Sequence, residues 1–99
     1  MSEHFNRLTP AEAERLALLA EECGEVVQVI GKILRHGYGS HHPNDRNGPD
    51  NRALLEREVG DLCYCIDTMM AVGDLDGLNV ALAQTQKNVK VARYLHHQE

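Results

Sequence analysis

Apolar residues at Leu16, Leu19, Cys23, Val26, Val27, Ile30, Ile33 and Leu34 recur at helical spacing and make one broad face that runs to about Arg35. Upstream, Thr9-Pro10-Ala11-Glu12 supplies a capping threonine, a proline at the first helical position and a glutamate three residues after the cap, so a helix begins there. From His36 to Asn51 the periodicity vanishes. Gly39, Pro43, Gly48 and Pro49 punctuate a stretch rich in Asn and Asp, which must be irregular. Asp50 or Asn51 can cap a second helix, in which Leu55, Val59, Leu62, Cys63, Ile66, Met69 and Met70 form the core face. Gly73-Asp74-Leu75-Asp76-Gly77 breaks the chain again. A third helix from about Leu75 or Leu78 through Tyr94 then carries Leu78, Leu82, Val89 and Ala92 inward. No strand pattern competes. The expected fold is all-α, an antiparallel helical hairpin plus a third helix, in a single domain over residues 1–99.

A second pattern lies beside the apolar one. Leu18, Glu22, Glu25 and Val29 step by four, three and four residues, a continuous stripe down one helix, and Leu54, Glu58, Asp61 and Cys65 repeat it 36 positions later. Each carboxylate pair brackets a glycine, Gly24 or Gly60. A mid-helix glycine costs about 1 kcal/mol relative to alanine, and room for a close approach is the expected reason for both. In a hairpin the two pairs lie roughly 17 Å and 13 Å from the loop, at 1.5 Å per residue, and come level to within one turn. Four carboxylates then converge. Crowded anions repel, and a hard divalent cation such as Mg²⁺ or Mn²⁺, which seeks oxygen ligands, relieves that repulsion.

Charge fits this reading. The formal charge of -5 falls to -1 when Glu22, Glu25, Glu58 and Asp61 are set aside, so most of the acidic excess resides in the expected site. Without a basic excess the chain is not expected to bind nucleic acid, whose affinity comes from neutralising phosphates. Cys23, Cys63 and Cys65 are odd in number and lack the two-residue gap of redox or zinc pairs; they read as small core residues in a reduced, cytoplasmic setting. No apolar run is long enough to span a bilayer, and the polar start from Met1 to Arg7 lacks a signal-peptide core, so no membrane association is expected.

The segments Leu19-Ala20-Glu21-Glu22-Cys23-Gly24-Glu25-Val26 and Leu55-Glu56-Arg57-Glu58-Val59-Gly60-Asp61-Leu62 resemble the two motifs of the MazG-like all-α nucleoside triphosphate pyrophosphohydrolases, E-x-x-E on one helix and E-x-x-D on the next. E-x-x-E alone is abundant in helices; the paired motifs in a small helical chain are far more specific. The resemblance implies that Glu22, Glu25, Glu58 and Asp61 bind Mg²⁺, with Mn²⁺ as a substitute, and that the metal grips a nucleotide's phosphates. Water then cleaves an NTP or dNTP to the nucleoside monophosphate and pyrophosphate, a reaction suited to nucleotide-pool house-cleaning. Glu21 and Glu56 are candidates to position that water catalytically. It also implies a homodimer or a dimer of dimers, in which a partner subunit covers the open apolar flank and completes a four-helix-bundle-type core. Two departures stand out: Leu18 occupies a place where the family often has a basic residue, and the loop from His36 to Asn51 is longer than usual, as a lid over the nucleotide would be.

Other residues offer weaker signals. Lys87, Lys90 and Arg93 recur every three residues on the third helix beside Tyr94 and are candidates for substrate binding; a solvated basic end that complements the helix dipole explains them as well. Arg35, His36, Tyr38, His41, His42 and Arg46 could furnish a lid, though ordinary loop exposure is the simpler reading of each. The pairs His41-His42 and His96-His97 lack the spacing by which helical histidines chelate zinc. A non-catalytic, metal- and nucleotide-binding helical regulatory module is the alternative to an enzyme, and a plain helical oligomerisation protein is a third reading. Which base or sugar is preferred cannot be read from the chain.

Overall fold

A computed structural model describes residues 5–98 and contains three helices, α1 (Pro10–His36), α2 (Asn51–Ala71) and α3 (Gly77–Val91), with no strand among the described residues. The capping box forms as its sequence dictates. The Thr9 hydroxyl accepts from the Glu12 backbone N–H at 3.1 Å, and the Glu12 carboxylate accepts from the Thr9 N–H at 2.8 Å. Gly37 ends α1 at φ +87°, a conformation that side chains other than glycine rarely adopt, and its N–H bonds the Ile33 carbonyl at 2.7 Å. Asp50, not Asn51, caps α2, its carboxylate accepting from the Ala53 N–H at 2.9 Å. Asp76 caps α3 in the same way.

α1 and α2 form an antiparallel hairpin pinned at both ends. At the loop end, Asn51 is buried; its side-chain amide donates to the Gly37 carbonyl at 3.0 Å and its backbone N–H to Ser40 at 2.9 Å. At the far end, the Arg15 guanidinium makes a two-pronged bond with Asp74, in the turn after α2, with Nη2 3.0 Å from Oδ1. Burial is concentrated in the seam between the helices: Val29, Cys65 and Met69 are the buried apolar residues.

The seam does not use the middle of the broad apolar faces. Taking about 100° per residue, Glu22, Val26, Val29 and Ile33 share one narrow sector of α1, and Asn51, Leu54, Glu58, Leu62, Cys65 and Met69 share the matching sector of α2. Leu16, Cys23, Val27, Ile30 and Leu34 lie further round α1, and Val59 and Cys63 further round α2, and all of these are exposed. Leu34 is 82% and Val27 68% exposed. Because the helices run antiparallel, rotation in the same sense brings both sets to the same side of the hairpin, where they make one open apolar face. Cys23 and Cys63 are therefore not core residues of this chain; Cys65 is.

The third helix departs most from the sequence expectation. Leu78, Leu82, Val89 and Ala92 are exposed, Leu78 at 68%, and no residue of α3 is buried. α3 projects from the hairpin after the turn at Gly73, and the chain's radius of gyration is 17.6 Å, against about 13 Å for a compact domain near 100 residues. Its helix also stops at Val91, ahead of Tyr94. Amphipathic spacing identifies an apolar face but not the surface that covers it, and here no surface among the described residues does.

Candidate metal centre

Glu22 and Glu25 on α1 and Glu58 and Asp61 on α2 come together across the seam, one carboxylate oxygen of each lying within 4.8 Å of all the others. Antiparallel register explains the convergence. Glu25 stands by Glu58 and Glu22 by Asp61, each pair three residues apart on its own helix, so the two steps cancel. Glu22, Glu25 and Glu58 are half-buried and Asp61 is exposed at the rim. Leu54, Val29 and Cys65 close the seam above and below the carboxylates.

The electrostatics are those of an under-compensated site. Among the described residues, Glu22 Oε2 and Glu58 Oε2 are inaccessible to solvent and meet no hydrogen-bond donor. A buried carboxylate oxygen without a partner loses its hydration for nothing in return. Glu25, close enough to share a proton with Glu58, pushes the Glu58 carboxyl above its ordinary range; burial and the charges of Glu25 and Asp61 add to the rise, and Arg57 opposes it. The Cys65 thiol is likewise pushed up, mainly by burial and then by Glu22 and Asp61.

This donor set fits a hard divalent cation. All four ligands are carboxylates, two oxygens are already dehydrated, and the spacing is near that of an octahedral shell, in which ligands at about 2.1 Å from Mg²⁺ lie at most about 4.2 Å apart. A slight closing of the helices on a cation, or two cations sharing the cluster, would satisfy every oxygen. The wider shell of Ca²⁺ also accommodates the observed spacing, so the geometry selects hard cations as a class and not Mg²⁺ individually.

The remaining candidates stand elsewhere. Glu21 and Glu56 are exposed; Glu21 is turned about 100° from its neighbour Glu22, and Glu56, two residues before Glu58, about 160° from it. Lys87, Lys90, Arg93 and Tyr94 are also exposed, and the charges that act on Glu58 come from Glu25, Asp61 and Arg57, none from α3. Within one chain the structure does not bring these four to the carboxylates. The glycines also depart from expectation: a Cβ at Gly24 or Gly60 would meet nothing within 4 Å, because both face away from the opposite helix. No close approach inside the chain requires them.

Two positioning features escaped the sequence pattern. Arg15 and Asp74, 59 residues apart, carry no joint signal along the chain, and Asn51 reads there only as a possible helix cap, whereas it instead ties the start of α2 to the end of α1. Among the described residues no helix is long and apolar enough to cross a membrane. Comparison with known proteins adds no relative: no family model, no curated protein and no solved structure matches this chain.

Proposed function

We propose that this chain is a divalent-metal-dependent nucleoside triphosphate pyrophosphohydrolase of the MazG-like kind, which converts an NTP or dNTP to the nucleoside monophosphate and pyrophosphate. The observation that carries the proposal is the acidic cluster itself, with two carboxylate oxygens buried and unpartnered in the seam of a hairpin. A merely solvated acidic surface would keep those oxygens in water. Mg²⁺ is the proposed cofactor, held by Glu22, Glu25, Glu58 and Asp61, and when bound it supplies charge neutralisation at the phosphoryl oxygens and acidifies water.

The chain's own residues have distinct tasks in this reading. The exposed Asp61 marks the open rim, so the phosphates enter there, while Glu22 and Glu58 anchor from the seam. Glu21, one turn before Glu25 on the same stripe, orders the attacking water and takes its proton as the new P–O bond forms and the bridging P–O bond of the α–β anhydride breaks to release pyrophosphate; Glu56, on the far side of α2 from Glu58, could do so only at another subunit's cluster. Lys87, Lys90, Arg93 and Tyr94 do not meet the cluster of their own chain, so their role in substrate binding is assigned across a homodimer or a dimer of dimers. The open apolar face and the unpacked α3 support such an assembly, in which a second hairpin completes a four-helix core.

The test is pyrophosphate release from a panel of NTPs and dNTPs, including dUTP, with Mg²⁺ or Mn²⁺ and with EDTA controls. Metal-dependent release that Glu58→Gln abolishes while helicity is retained is the expected result. Turnover that persists in Glu58→Gln removes the assigned role, and tight nucleotide binding without any pyrophosphate identifies a non-catalytic binding module instead.

A further inference from the structure

A separate cavity of about 260 Å³ lies at the loop end of the hairpin, lined among others by Lys32, Arg35, His36, His41, His42 and Asn51. Its chemistry is the reverse of the metal centre's. Lys32, Arg35 and three histidines line it, with His42 Nδ1 accepting from the Asn44 N–H at 3.2 Å, and no carboxylate is among the lining residues described. The two sites share one side of the hairpin. Lys32 follows Glu25 by seven residues, and seven helical steps return nearly to the same angle, so Lys32 extends the Glu22–Glu25 stripe toward the loop. On α2, Asn51 precedes Glu58 by the same interval, so the register that matches Glu25 with Glu58 brings Lys32 level with Asn51. The separation along the helix axis is about 10 Å.

The cavity is also held in shape. The loop that forms its far wall is tied to α2 by Asn51 N–H to the Ser40 carbonyl at 2.9 Å, by Arg52 N–H to the Tyr38 carbonyl at 3.0 Å, and by the Arg52 guanidinium 4.2 Å above the Tyr38 ring. These bonds, with the Asp50 cap, occupy the first backbone N–H groups of α2, so side chains must supply the recognition. A basic last turn on its own would only complement the α1 dipole. That does not explain why His41 and His42, from the loop, line the same cavity as Lys32 and Arg35.

We infer that this cavity is an anion subsite that takes a phosphate group of the substrate whose anhydride sits at the acidic cluster. The inference deepens the pyrophosphohydrolase reading and rests on it only for the link between the two sites. Arg and Lys are the side chains that recognise phosphate, Arg through paired hydrogen bonds. The phosphate has two sources: the far end of the same polyphosphate, or a second phosphate carried elsewhere on the nucleotide. A separation of about 10 Å is closer to the length of a nucleoside than to one phosphoanhydride link, which favours the second.

Inorganic phosphate titrated into the ¹⁵N-labelled full chain in EDTA, at constant ionic strength, tests the subsite without any metal or turnover. Saturable amide shifts confined to residues 32–43 and 51–54 are expected, weakened at least tenfold in the Lys32→Ala/Arg35→Ala double variant and unchanged in Glu58→Gln. Absence of saturable shifts, equal affinity in the double variant, or shifts centred on Lys87, Lys90 and Arg93 would overturn the subsite. Repeating the titration with Mg²⁺ and either α,β-methylene-ATP or its 3′-phosphorylated form separates the sources. Shifts at both sites with the first ligand identify the polyphosphate end, and shifts at both only with the second identify a remote phosphate. If neither ligand reaches the cavity while inorganic phosphate does, the link to the metal centre fails. Failure of the pyrophosphohydrolase reading alone would leave the EDTA titration intact.

Discussion

At the scale of the residue, Glu58 carries the clearest consequence. Its carboxyl is raised by proton sharing with Glu25, then by burial and by the charges of Glu25 and Asp61. The protonated form is therefore favoured by folding. That contribution is fully present below the ordinary glutamate range and is lost as pH rises through the raised value. In EDTA, Tm should accordingly fall with rising pH across that window, and the slope should flatten in Glu58→Gln; a Tm independent of pH there would remove the coupling. A cation competes with the shared proton, so Mg²⁺ should restore Tm at neutral pH. At about 100 times its Kd a ligand adds about 2.7 kcal/mol, a rise on the order of 10 to 20 °C for a domain of this size. Gly24 and Gly60 give a second test at this scale. A Cβ at either meets only open space, so Gly24→Ala and Gly60→Ala should each stabilise an isolated chain by about 1 kcal/mol in urea denaturation. Destabilisation would instead reveal that another subunit's backbone packs against those positions.

The elements differ in how far sequence alone determines them. α1 was legible almost to the residue, because a capping box and an eight-residue apolar pattern both act locally. The convergence of Glu22, Glu25, Glu58 and Asp61 was legible too, since the loop forces a hairpin and the repeated spacing cancels in antiparallel register. Which sector of each apolar face enters the seam was not legible, because a face wider than the contact leaves several rotations open. Arg15 and Asp74 belong to that hidden layer: their bond ties the start of α1 to the turn that launches α3. The Arg15 bond and charge hold the Asp74 carboxyl below its usual range against the effect of burial. A depressed carboxylate stabilises the fold above its unfolded value, and that stability is lost as pH falls through the folded one. Asp74→Asn should therefore lower Tm at neutral pH, with the deficit shrinking as wild type is acidified. A deficit that stays constant down to the lowest pH at which both fold would assign the effect to packing rather than charge.

At the scale of the whole molecule the question is what stabilises so open a shape. A domain near this length is marginal even when compact, because it buries only about 60 to 70% of its unfolded surface. This chain is far from compact. It presents Val27, Ile30, Leu34 and Val59 on one side of the hairpin and leaves α3 without a buried residue. Each large apolar side chain left in water forgoes roughly 1.5 to 3 kcal/mol relative to full burial, so covering this face with a second copy would add stability that the hairpin lacks on its own. The cluster carboxylates Glu25 and Asp61 lie on the opposite side, which leaves the rim of the cluster open when the apolar face is occupied. Val27→Glu and Leu34→Glu place charges in the middle of that face without touching the seam. Light scattering coupled to size exclusion should find a dimer or tetramer for the wild type and a lighter species for either variant, with helicity and urea resistance falling together. If the variants keep both their mass and their stability, the apolar face is not the subunit interface, and the assignment of Lys87, Lys90, Arg93 and Tyr94 to a neighbouring site loses its structural basis.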